Sequence, residues 1–320
     1  PPLSIPIVFS TDKNYFPYFL VALESIIQTS SPDNNYDILL LHTELTEDDL
    51  HIIHHQIQKY SNISVRLIDV SDLAEKYHLN TLITIKHIRV SAYYRLLIGE
   101  ILPSYHKIIY LDCDLIILQD IADLFKTDIG NNYLAAVLDK GAQDYFLPKV
   151  PEFVEYMHLL GMKNVQNYFN SGVLIMDLDA IRKNNLLDEF IKIAQQNNRF
   201  FHDQNVLNVV CEDKVFFLNS KWNVQCCNKI KEKDFAIIHY CGDKPWNKKK
   251  VNLSKYWWKY AQNTFYYEKI LRDYKVKTRQ RRKQDLNKLK YKILYKITFG
   301  KLKQKYEQKY QEIKCSLKSA

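Results

Sequence analysis

Short apolar runs rich in β-branched residues alternate with helical segments along the first half of the chain. Residues 5–10, 37–42 and 63–69 each have the length and composition of a buried strand. Residues 18–28 and 45–60 lie between them and carry apolar side chains at helical spacing. Strands that alternate with helices in this way predict an α/β domain, in which helices cover both faces of a mainly parallel sheet.

The same pattern continues through the middle of the chain. It predicts a helix over residues 90–98 and strands over residues 107–111, 133–138 and 172–177. Sheets of this class bind their ligands beyond the carboxyl ends of the strands. We therefore expect the polar residues that follow the first strand and the strand over residues 107–111 to form a site.

Charge divides the chain into two regions of opposite sign, although the net charge is +9. Residues 269–320 contain 18 Lys or Arg and 4 Asp or Glu, whereas the preceding part contains 27 basic and 32 acidic residues. With 47% apolar residues, the chain has ample material for a core. We expect one α/β domain over residues 1–265 and a separate basic segment over residues 266–320.

Cysteine and glycine usage excludes several kinds of site. The six cysteines form no C-x-x-C pattern and no paired framework, which predicts reduced thiols and a cytoplasmic protein. The seven glycines include neither a G-x-x-x-x-G-K-[ST] nor a G-x-G-x-x-G loop, so a phosphorylated ligand must be held by other groups. No apolar run reaches the ~18 residues of a membrane span, and none is predicted.

The strongest local motif is Tyr110-Leu111-Asp112-Cys113-Asp114, which follows an apolar strand. In an extended segment, residues i and i+2 point to the same side, so the two carboxylates can converge on one divalent cation. A hard divalent cation commonly bridges phosphate oxygens as well. The alternative interpretation is an ordinary turn, but the position after a buried strand favours a site.

A second motif runs from residue 239 to residue 246 and follows an apolar strand predicted over residues 235–238. His239, at the end of that strand, has a side chain that can complete a metal site, and imidazole suits Mn²⁺ better than Mg²⁺. Gly242 allows close approach of backbone to a diphosphate, and Lys244 supplies a positive charge. The alternative is a turn with a hydrogen-bonded histidine and a surface lysine.

Four segments together resemble glycosyltransferase family 8: residues 12–15, 110–114, 170–172 and 239–246, in this order. The resemblance extends over about residues 5–260. It implies a GT-A fold, with a Rossmann-like, mainly parallel central sheet, flanking helices and here a basic helical tail. It also implies a retaining, metal-dependent transferase that uses a UDP-sugar.

The resemblance assigns roles to individual residues. Asp112, Asp114 and His239 match the metal ligands, with Mn²⁺ as the expected ion and Mg²⁺ as the alternative. Tyr15 is placed to stack on uracil. The matching positions around the UDP-sugar are Ser10, Asp12, Asn14, Tyr15, His87, Ile88, Arg95, Cys113, Asn170, Ser171, Gly172, Gly242 and Lys244. The matching catalytic positions in the sugar pocket are Asp139, Asp203 and Gln204.

Several of these residues also have ordinary structural interpretations. Asp12 and Asp203 are suited to cap the helices that follow them, and Tyr15 is suited to a core. Arg95 on a helix is suited to a surface ion pair, and Asp139 to a turn. The combination of motifs, rather than any one of them, favours the site.

The function that the resemblance implies is transfer of galactose or glucose from a UDP-sugar to a lipopolysaccharide or lipooligosaccharide glycan. Because Gln204 is a poor nucleophile, we expect the acceptor to attack the face that the diphosphate leaves. Alternative functions are transfer to a protein or another surface glycan, nucleotide-sugar hydrolysis, or nucleotidyl transfer. A protein that only binds membranes or nucleic acid is the non-enzymatic alternative.

The basic segment contains an amphipathic stretch over residues 285–299. Such a helix is typical of a membrane surface element, and each Lys or Arg near an anionic leaflet contributes about 1 kcal/mol. A solvated tail is the alternative; no nucleic-acid partner is expected, since no nucleic-acid motif accompanies the charge. We expect residues 266–320 to attach a cytoplasmic enzyme to the inner face of the cytoplasmic membrane, where a lipid-anchored acceptor lies. The apolar residues of the stretch are Leu286, Leu289, Ile293, Leu294 and Ile297.

Overall fold

The computed structural model of the chain describes residues 3–82, 90–197, 199–227, 230, 233–298 and 300–316. The strands in this part are β1 Ser4–Ser10, β2 Asn35–His42, β3 Ile63–Asp69, β4 Lys107–Leu111, β5 Leu115–Ile117, β6 Leu134–Leu138, β7 Phe169–Asp177, β8 Val215–Phe217, β9 Val224–Gln225 and β10 Ile237–His239.

The α-helices are α1 Phe16–Thr29, α2 Glu47–Ile57, α3 Ser71–Lys76, α4 Ile98–Ile101, α5 Ala122–Phe125, α6 Leu147–Lys149, α7 Pro151–Leu159, α8 Leu178–Lys183, α9 Leu186–Gln196, α10 His202–Val210, α11 Ser254–Ala261, α12 Tyr267–Ile297 and α13 Gly300–Ser316. Shorter 3₁₀ helices span Leu79–Thr81, Val90–Leu97, Val165–Asn167 and Ser220–Asn223, and a π-helical turn spans Ala142–Phe146.

A central sheet has the order β3-β2-β1-β4-β7-β6-β8, with seven strands in the described residues. β1 pairs in parallel with β2 and β4, β2 with β3, and β6 with β8. β7 is antiparallel to both of its neighbours, β4 and β6. The sheet is mainly parallel, and the expected α/β class is confirmed.

The reversed direction of β7 determines what lies at the ligand-binding edge of the sheet. Leu111, at the carboxyl end of β4, is in register with Val173, near the amino end of β7. The backbone N–H of Asp112 donates to the carbonyl of Gly172 at 2.9 Å. The first residues of β7 therefore lie beside the residues that follow β4.

A second, smaller sheet has the order β5-β10-β9. β10 is antiparallel to β5 and parallel to β9, with His239 in register with both Leu115 and Gln225. Since β5 begins directly after Asp114, this small sheet brings the end of β10 to the carboxyl end of β4.

Two apolar layers cover the central sheet. Alternate residues of β1 show the division: Phe9 packs with Phe19 of α1 on one face, whereas Val8 packs on the other face with Tyr110 and Phe190. Burial of both faces explains why the central strands are unbroken apolar runs rather than alternating ones.

The segment predicted as a helix over residues 90–98 winds more tightly than expected. It forms a 3₁₀ helix over Val90–Leu97, followed by the single turn of α4. Arg95 is buried in this segment. Its Nε donates at 2.9 Å to the carbonyl of Ala92, three residues earlier in the same 3₁₀ helix. Arg95 is therefore not on the protein surface, and its interpretation as a surface ion-pair residue is wrong.

In the part of the chain that the structure describes, the C-terminal helices contact the body through the first half of α12. Ile270 is buried, and the ring of Tyr274 lies 5.0 Å from that of Trp258 in α11. Farther along, α12 packs on α13, where the rings of Tyr291 and Tyr306 are 6.1 Å apart. Among the described residues, no helix combines the length and the apolar character needed to cross a membrane.

Candidate active site

Asp112, Asp114 and His239 converge at the carboxyl end of β4. Each offers one ligand atom that lies within 4.8 Å of the ligand atoms of the other two. His239 Nε2 is 3.1 Å from Asp114 Oδ1 and 3.8 Å from Asp112 Oδ2. Asp114 and His239 are buried, whereas the side chain of Asp112 is 26% exposed. The structure thus brings together the three residues that the sequence suggested as metal ligands.

Backbone pairing explains this convergence. β5 and β10 are neighbours, and the N–H of Tyr240 donates to the carbonyl of Asp114 at 2.9 Å. The hydrogen bond from Asp112 to Gly172 fixes the other carboxylate against β7. Positions far apart in sequence are therefore held by strand pairing rather than by mobile loops.

Only glycine fits at residue 172. A Cβ on Gly172 would lie 2.2 Å from His239 Cε1 and 2.7 Å from Asp112 Oδ2. Carbon atoms in van der Waals contact are about 3.5–4.0 Å apart, so any side chain here would push His239 and Asp112 away from each other. Two carboxylates and an imidazole are a donor set for a divalent cation of the Mn²⁺ type, and the residues present fit such an ion.

Two asparagines orient the imidazole. Asn223 Oδ1 is 3.0 Å from His239 Nδ1, and Asn223 Nδ2 donates to Asn170 Oδ1 at 2.9 Å. Because Asn223 donates through its amide nitrogen, its oxygen accepts from the Nδ1–H of His239. The Nε2 lone pair then faces the two aspartates, as a metal ligand requires.

Arg95 connects the metal-ligand candidates to the sugar-pocket candidates. Its guanidinium is 2.7 Å from Asp112 Oδ1 and 3.0 Å from Asp203 Oδ2. It also donates to the carbonyl of Ser171 at 2.7 Å and lies 4.4 Å from the centre of the Tyr110 ring. A fully used guanidinium of this kind positions acidic groups on both sides of it.

Lys244 contributes the second cation. Its ammonium pairs with Asp114 and donates to the carbonyl of Tyr240 at 2.7 Å. Burial alone would raise the pKa of Asp114, but the charge of the Lys244 ammonium outweighs burial and holds that pKa well below its ordinary value. Asp114 is therefore a carboxylate throughout the physiological range.

Two of the three sugar-pocket candidates, Asp139 and Gln204, are joined by a hydrogen bond. Asp139 Oδ2 accepts at 3.0 Å from both Asn170 Nδ2 and Gln204 Nε2. Gln204 Oε1 in turn accepts from the backbone N–H of Ser171 at 3.0 Å. Burial raises the pKa of Asp203 to about 6, with Arg95 opposing the rise and Asp112 adding to it. Asp139 is buried, and its Oδ1 also accepts from the backbone N–H of Ala142 at 2.7 Å, so it serves the turn after β6 as well as the pocket.

The remaining donor-side candidates lie after β1 and β4. Asp12 Oδ1 accepts from the backbone N–H groups of Asn14 and Tyr15 at 2.8 and 2.9 Å, so Asp12 stabilises the turn that leads into α1. Ser10 Oγ is 2.7 Å from the hydroxyl of Tyr110, and Cys113 Sγ donates to the carbonyl of Ser10 at 3.3 Å.

The other predicted donor-side positions are Gly242, Asn14, His87 and Ile88. Gly242 lies against Cys227: a Cβ on Gly242 would be 3.2 Å from Cys227 Cβ, so close approach of the two segments favours glycine there. Asn14 is exposed, and its backbone N–H donates to Asp12 Oδ1. His87 and Ile88 lie outside the described residues.

Sequence reasoning missed two residues that shape the site. Asn223 orients His239, yet no motif surrounds it. Tyr110 belongs to the first motif, but the sequence assigned it no function. Its hydroxyl donates to Asp112 Oδ1 at 3.2 Å and is also hydrogen-bonded to Ser10 Oγ. A tyrosine two residues before Asp112, on the same side of the extended segment, was the one available signal.

Comparison with known proteins identifies the class of the chain. The model of the family described as "Glycosyl transferase family 8" matches residues 6–250. A Haemophilus influenzae protein described as a glycosyltransferase is 30% identical over 260 residues, which cover 78% of this chain and 74% of that protein. General stress protein A of Bacillus subtilis is 31% identical over 184 residues, which cover 50% of this chain and 60% of that protein.

Two further comparisons bear on fold and site. Lipopolysaccharide 1,3-galactosyltransferase of Salmonella typhimurium is 24% identical over 257 residues, which cover 75% of this chain and 72% of that protein. The solved structure of galactosyltransferase LgtC with donor and acceptor sugar analogs is 25% identical, with a TM-score of 0.68, and the match covers 82% of this chain and 96% of that one. The expected GT-A fold is confirmed by this likeness.

Proposed function

The chain belongs to glycosyl transferase family 8, and we propose that it is a retaining enzyme that moves galactose or glucose from a UDP-sugar to a glycan. The observation that carries this proposal is the meeting of Asp112, Asp114 and His239 within 4.8 Å at the carboxyl end of β4. A divalent cation, Mn²⁺ or alternatively Mg²⁺, would be held by these three side chains. When bound, it would neutralise the charge of the departing diphosphate.

The chain's own cations support the same task. Lys244 is buried beside Asp114, and burial would lower its pKa, but the carboxylate outweighs burial and raises that pKa above its ordinary value. The ammonium therefore stays charged and is available to diphosphate oxygens. The ring of Tyr15 lies 6.3 Å from that of Trp246, two residues after Lys244, and we assign Tyr15 to the uracil side of the donor. Ser10, Asp12 and Cys113 line the same end of β1 and β4.

The sugar-pocket residues favour attack on the face that the diphosphate leaves. A double-displacement route needs a free carboxylate nucleophile, as in retaining glycosidases. Asp139 already accepts hydrogen bonds from Asn170 and Gln204, and Asp203 is paired with Arg95. We assign these carboxylates to sugar hydroxyls, with Gln204 as the amide beside the anomeric carbon. A covalent hexose trapped on either aspartate would refute this route.

The acceptor that we propose is a lipopolysaccharide or lipooligosaccharide glycan. The proposal is supported by the likeness to the Salmonella lipopolysaccharide galactosyltransferase and to LgtC. A protein or another surface glycan is the alternative acceptor, and hydrolysis of the nucleotide sugar is the alternative reaction.

The C-terminal helices are proposed to attach the enzyme to the inner face of the cytoplasmic membrane. Leu286, Leu289, Ile293 and Ile297 are each at least 50% exposed and form one stripe of α12. Lysines flank this stripe on both sides, as in helices that lie in an anionic interface. We therefore propose residues 1–265 as the catalytic domain and residues 266–320 as the membrane-association segment.

A screen of UDP-galactose, UDP-glucose and UDP-N-acetyl sugars with Mn²⁺ tests the proposed reaction. Each donor is incubated with and without a lipooligosaccharide acceptor, and both free sugar and sugar–acceptor product are measured. The proposal expects one hexose donor to give acceptor product that disappears on chelation with EDTA. Free sugar as the sole product, at the same rate with and without acceptor, would establish the hydrolase instead.

A further inference from the structure

A basic groove lies between the loop that follows Lys244 and the first half of α12. It has a volume of about 1110 Å³ and is lined by residues 248–250 on one side and by residues of α12 between 268 and 285 on the other. Nine of the lining residues are Lys or Arg, and two, Glu268 and Asp285, are acidic. The groove is thus as large as a ligand pocket and carries an excess of positive charge.

The groove's cations are largely uncompensated. Lys248 pairs with Asp243. For Lys249, Lys250 and Arg279, no ion pair is found within the described parts of the chain. Concentrated charge without internal partners repels itself and attracts anions, and it does so more strongly in a groove than on an open surface.

The groove is connected to the candidate active site by a single turn of the chain. Residues 244–248 form one turn, in which the N–H of Lys248 donates to the carbonyl of Lys244 at 3.1 Å. The same turn therefore directs Lys244 to Asp114 and Lys248 to the groove. On the far side, Lys277 of α12 donates to Asn247 Oδ1 at 2.7 Å and ties the helix to this turn.

Aromatic packing fixes the wall formed by α12. The ring of Trp246 stacks on that of Tyr18 at 3.8 Å and lies 5.0 Å from that of Trp257. Trp257 contacts Trp258, whose ring contacts that of Tyr274 in α12, both at 5.0 Å. The start of α12 is thus packed against the domain that holds the donor, and the groove is part of the same body.

We propose that this groove binds phosphate groups carried by the glycan acceptor. Guanidinium and ammonium groups bind phosphate through charge-assisted hydrogen bonds, and guanidinium does so with two parallel bonds. Residues 248–250 begin one turn after Lys244, which pairs with the candidate metal ligand Asp114. This placement favours the acceptor over a lipid headgroup as the source of the phosphate. The inference rests on the proposed transfer and adds a class of acceptor to it.

The test compares two variants that lose equal charge. Lys249→Gln/Lys250→Gln/Arg279→Gln alters the groove, and Lys301→Gln/Lys305→Gln/Lys314→Gln alters α13. The acceptor is lipid-free oligosaccharide from lipooligosaccharide, used with its phosphates and after phosphatase treatment. We expect the groove variant to raise KM about tenfold for the phosphorylated form alone, and the α13 variant to change it by less than about twofold. Hydrolysis of the UDP-sugar without acceptor is expected to be unchanged in both.

Direct binding separates this inference from the proposed reaction. Calorimetric titration of the same two oligosaccharides, without donor, is expected to show tighter binding of the phosphorylated form by the unaltered chain and the α13 variant only. That result supports the groove even if no sugar is transferred. Equal affinity for both forms would overturn the inference. So would a groove variant whose single defect is weaker binding to phosphatidylglycerol vesicles, since the groove would then serve lipid headgroups.

Discussion

The active site and the C-terminal helices hold their charges in opposite ways. In the site, Arg95, Asp114 and His239 are each less than a tenth exposed and pair with neighbouring polar groups. In α12 and α13 the Lys and Arg residues are mostly exposed, and their ion pairs, such as Lys269–Asp273 and Lys309–Glu312, are local. Exposed ion pairs of this kind contribute little to the free energy of unfolding.

This difference indicates how each region acts. A buried polar network depends on every member, because a group that loses its partner has no water to hydrogen-bond with instead. A solvated helix depends on total charge and apolar area, which single residues change only slightly. We therefore expect single substitutions to have large effects in the site and small ones in the tail.

The largest effect is expected at Asp112. Asp112→Ala removes one proposed metal ligand and leaves Arg95 without one of its two carboxylates. Metal-dependent turnover of the UDP-sugar should fall by about 10³-fold, a loss typical of removing a group that stabilises leaving charge. Initial rates at saturating Mn²⁺ measure it. Asp213→Ala, at an exposed carboxylate, is the control; equal rates for both variants would contradict the site.

A smaller but still large effect is expected at Gly172. In Gly172→Ala the new Cβ must displace His239 and Asp112, and a displacement of about 1 Å at a reacting centre lowers turnover by about 100-fold. Gly130→Ala is the matched control, since Gly130 has a φ of +57° and nothing within 4 Å of a built Cβ. It should lower thermal stability through backbone strain while retaining turnover. Full activity of Gly172→Ala would show that the ligands do not depend on this space.

An intermediate effect is expected at Asn223, which touches His239 but not the proposed ion. Asn223→Ala should weaken the apparent affinity for Mn²⁺ by about tenfold, because the imidazole loses the partner that fixes its tautomer. The dependence of rate on Mn²⁺ concentration measures this, with kcat at saturating metal changing much less. Asn62→Ala, whose amide donates to Ser31 and Asn34 away from the site, should leave the curve unchanged. An unchanged curve for Asn223→Ala would remove Asn223 from the site.

The smallest effect is expected from substitutions in the C-terminal helices. Leu289→Ser/Ile293→Ser should alter the free energy of unfolding by less than about 0.5 kcal/mol, because both side chains are at least half exposed. Binding to anionic vesicles should nevertheless weaken about tenfold, while turnover of a soluble acceptor stays constant. The same change at buried Ile175 should cost several kcal/mol, about 3 or more. Unaltered vesicle binding by the tail variant would reject the membrane proposal.

Removing residues 285–320 tests the tail as a whole. This boundary keeps Ile270 and Tyr274, which contact the body, and so avoids exposing apolar surface there. The truncated chain should lose vesicle binding and keep turnover of a soluble acceptor within about twofold. Equal vesicle binding by truncated and complete chains would place membrane attachment elsewhere.

Much of the fold was predictable because local pattern determines it. The predicted first three strands agree with β1, β2 and β3 to within two residues at either end. The direction of β7 was not predictable, since a buried run is equally apolar in either direction. The short strands β5 and β9 escaped notice because their pairing with β10, rather than their own sequence, stabilises them.

The site was predictable where its residues are adjacent in sequence. Asp112 and Asp114 are two residues apart, and His239 follows a recognisable apolar run. Asn223 reaches His239 only through the small sheet, which the sequence does not reveal. The structural interpretations of single residues fared differently: Asp12 bonds the turn that precedes α1, whereas Arg95 is buried between two aspartates instead of lying on the surface.

The most direct test is the position of manganese in crystals grown with Mn²⁺ and UDP. Anomalous scattering from manganese locates the ion independently of any assumed ligand. The account predicts one peak about 2–2.5 Å from a carboxylate oxygen of Asp112, a carboxylate oxygen of Asp114 and Nε2 of His239, next to the UDP diphosphate. A UDP-bound crystal with manganese elsewhere, or with these three side chains turned away from the ion, would contradict it.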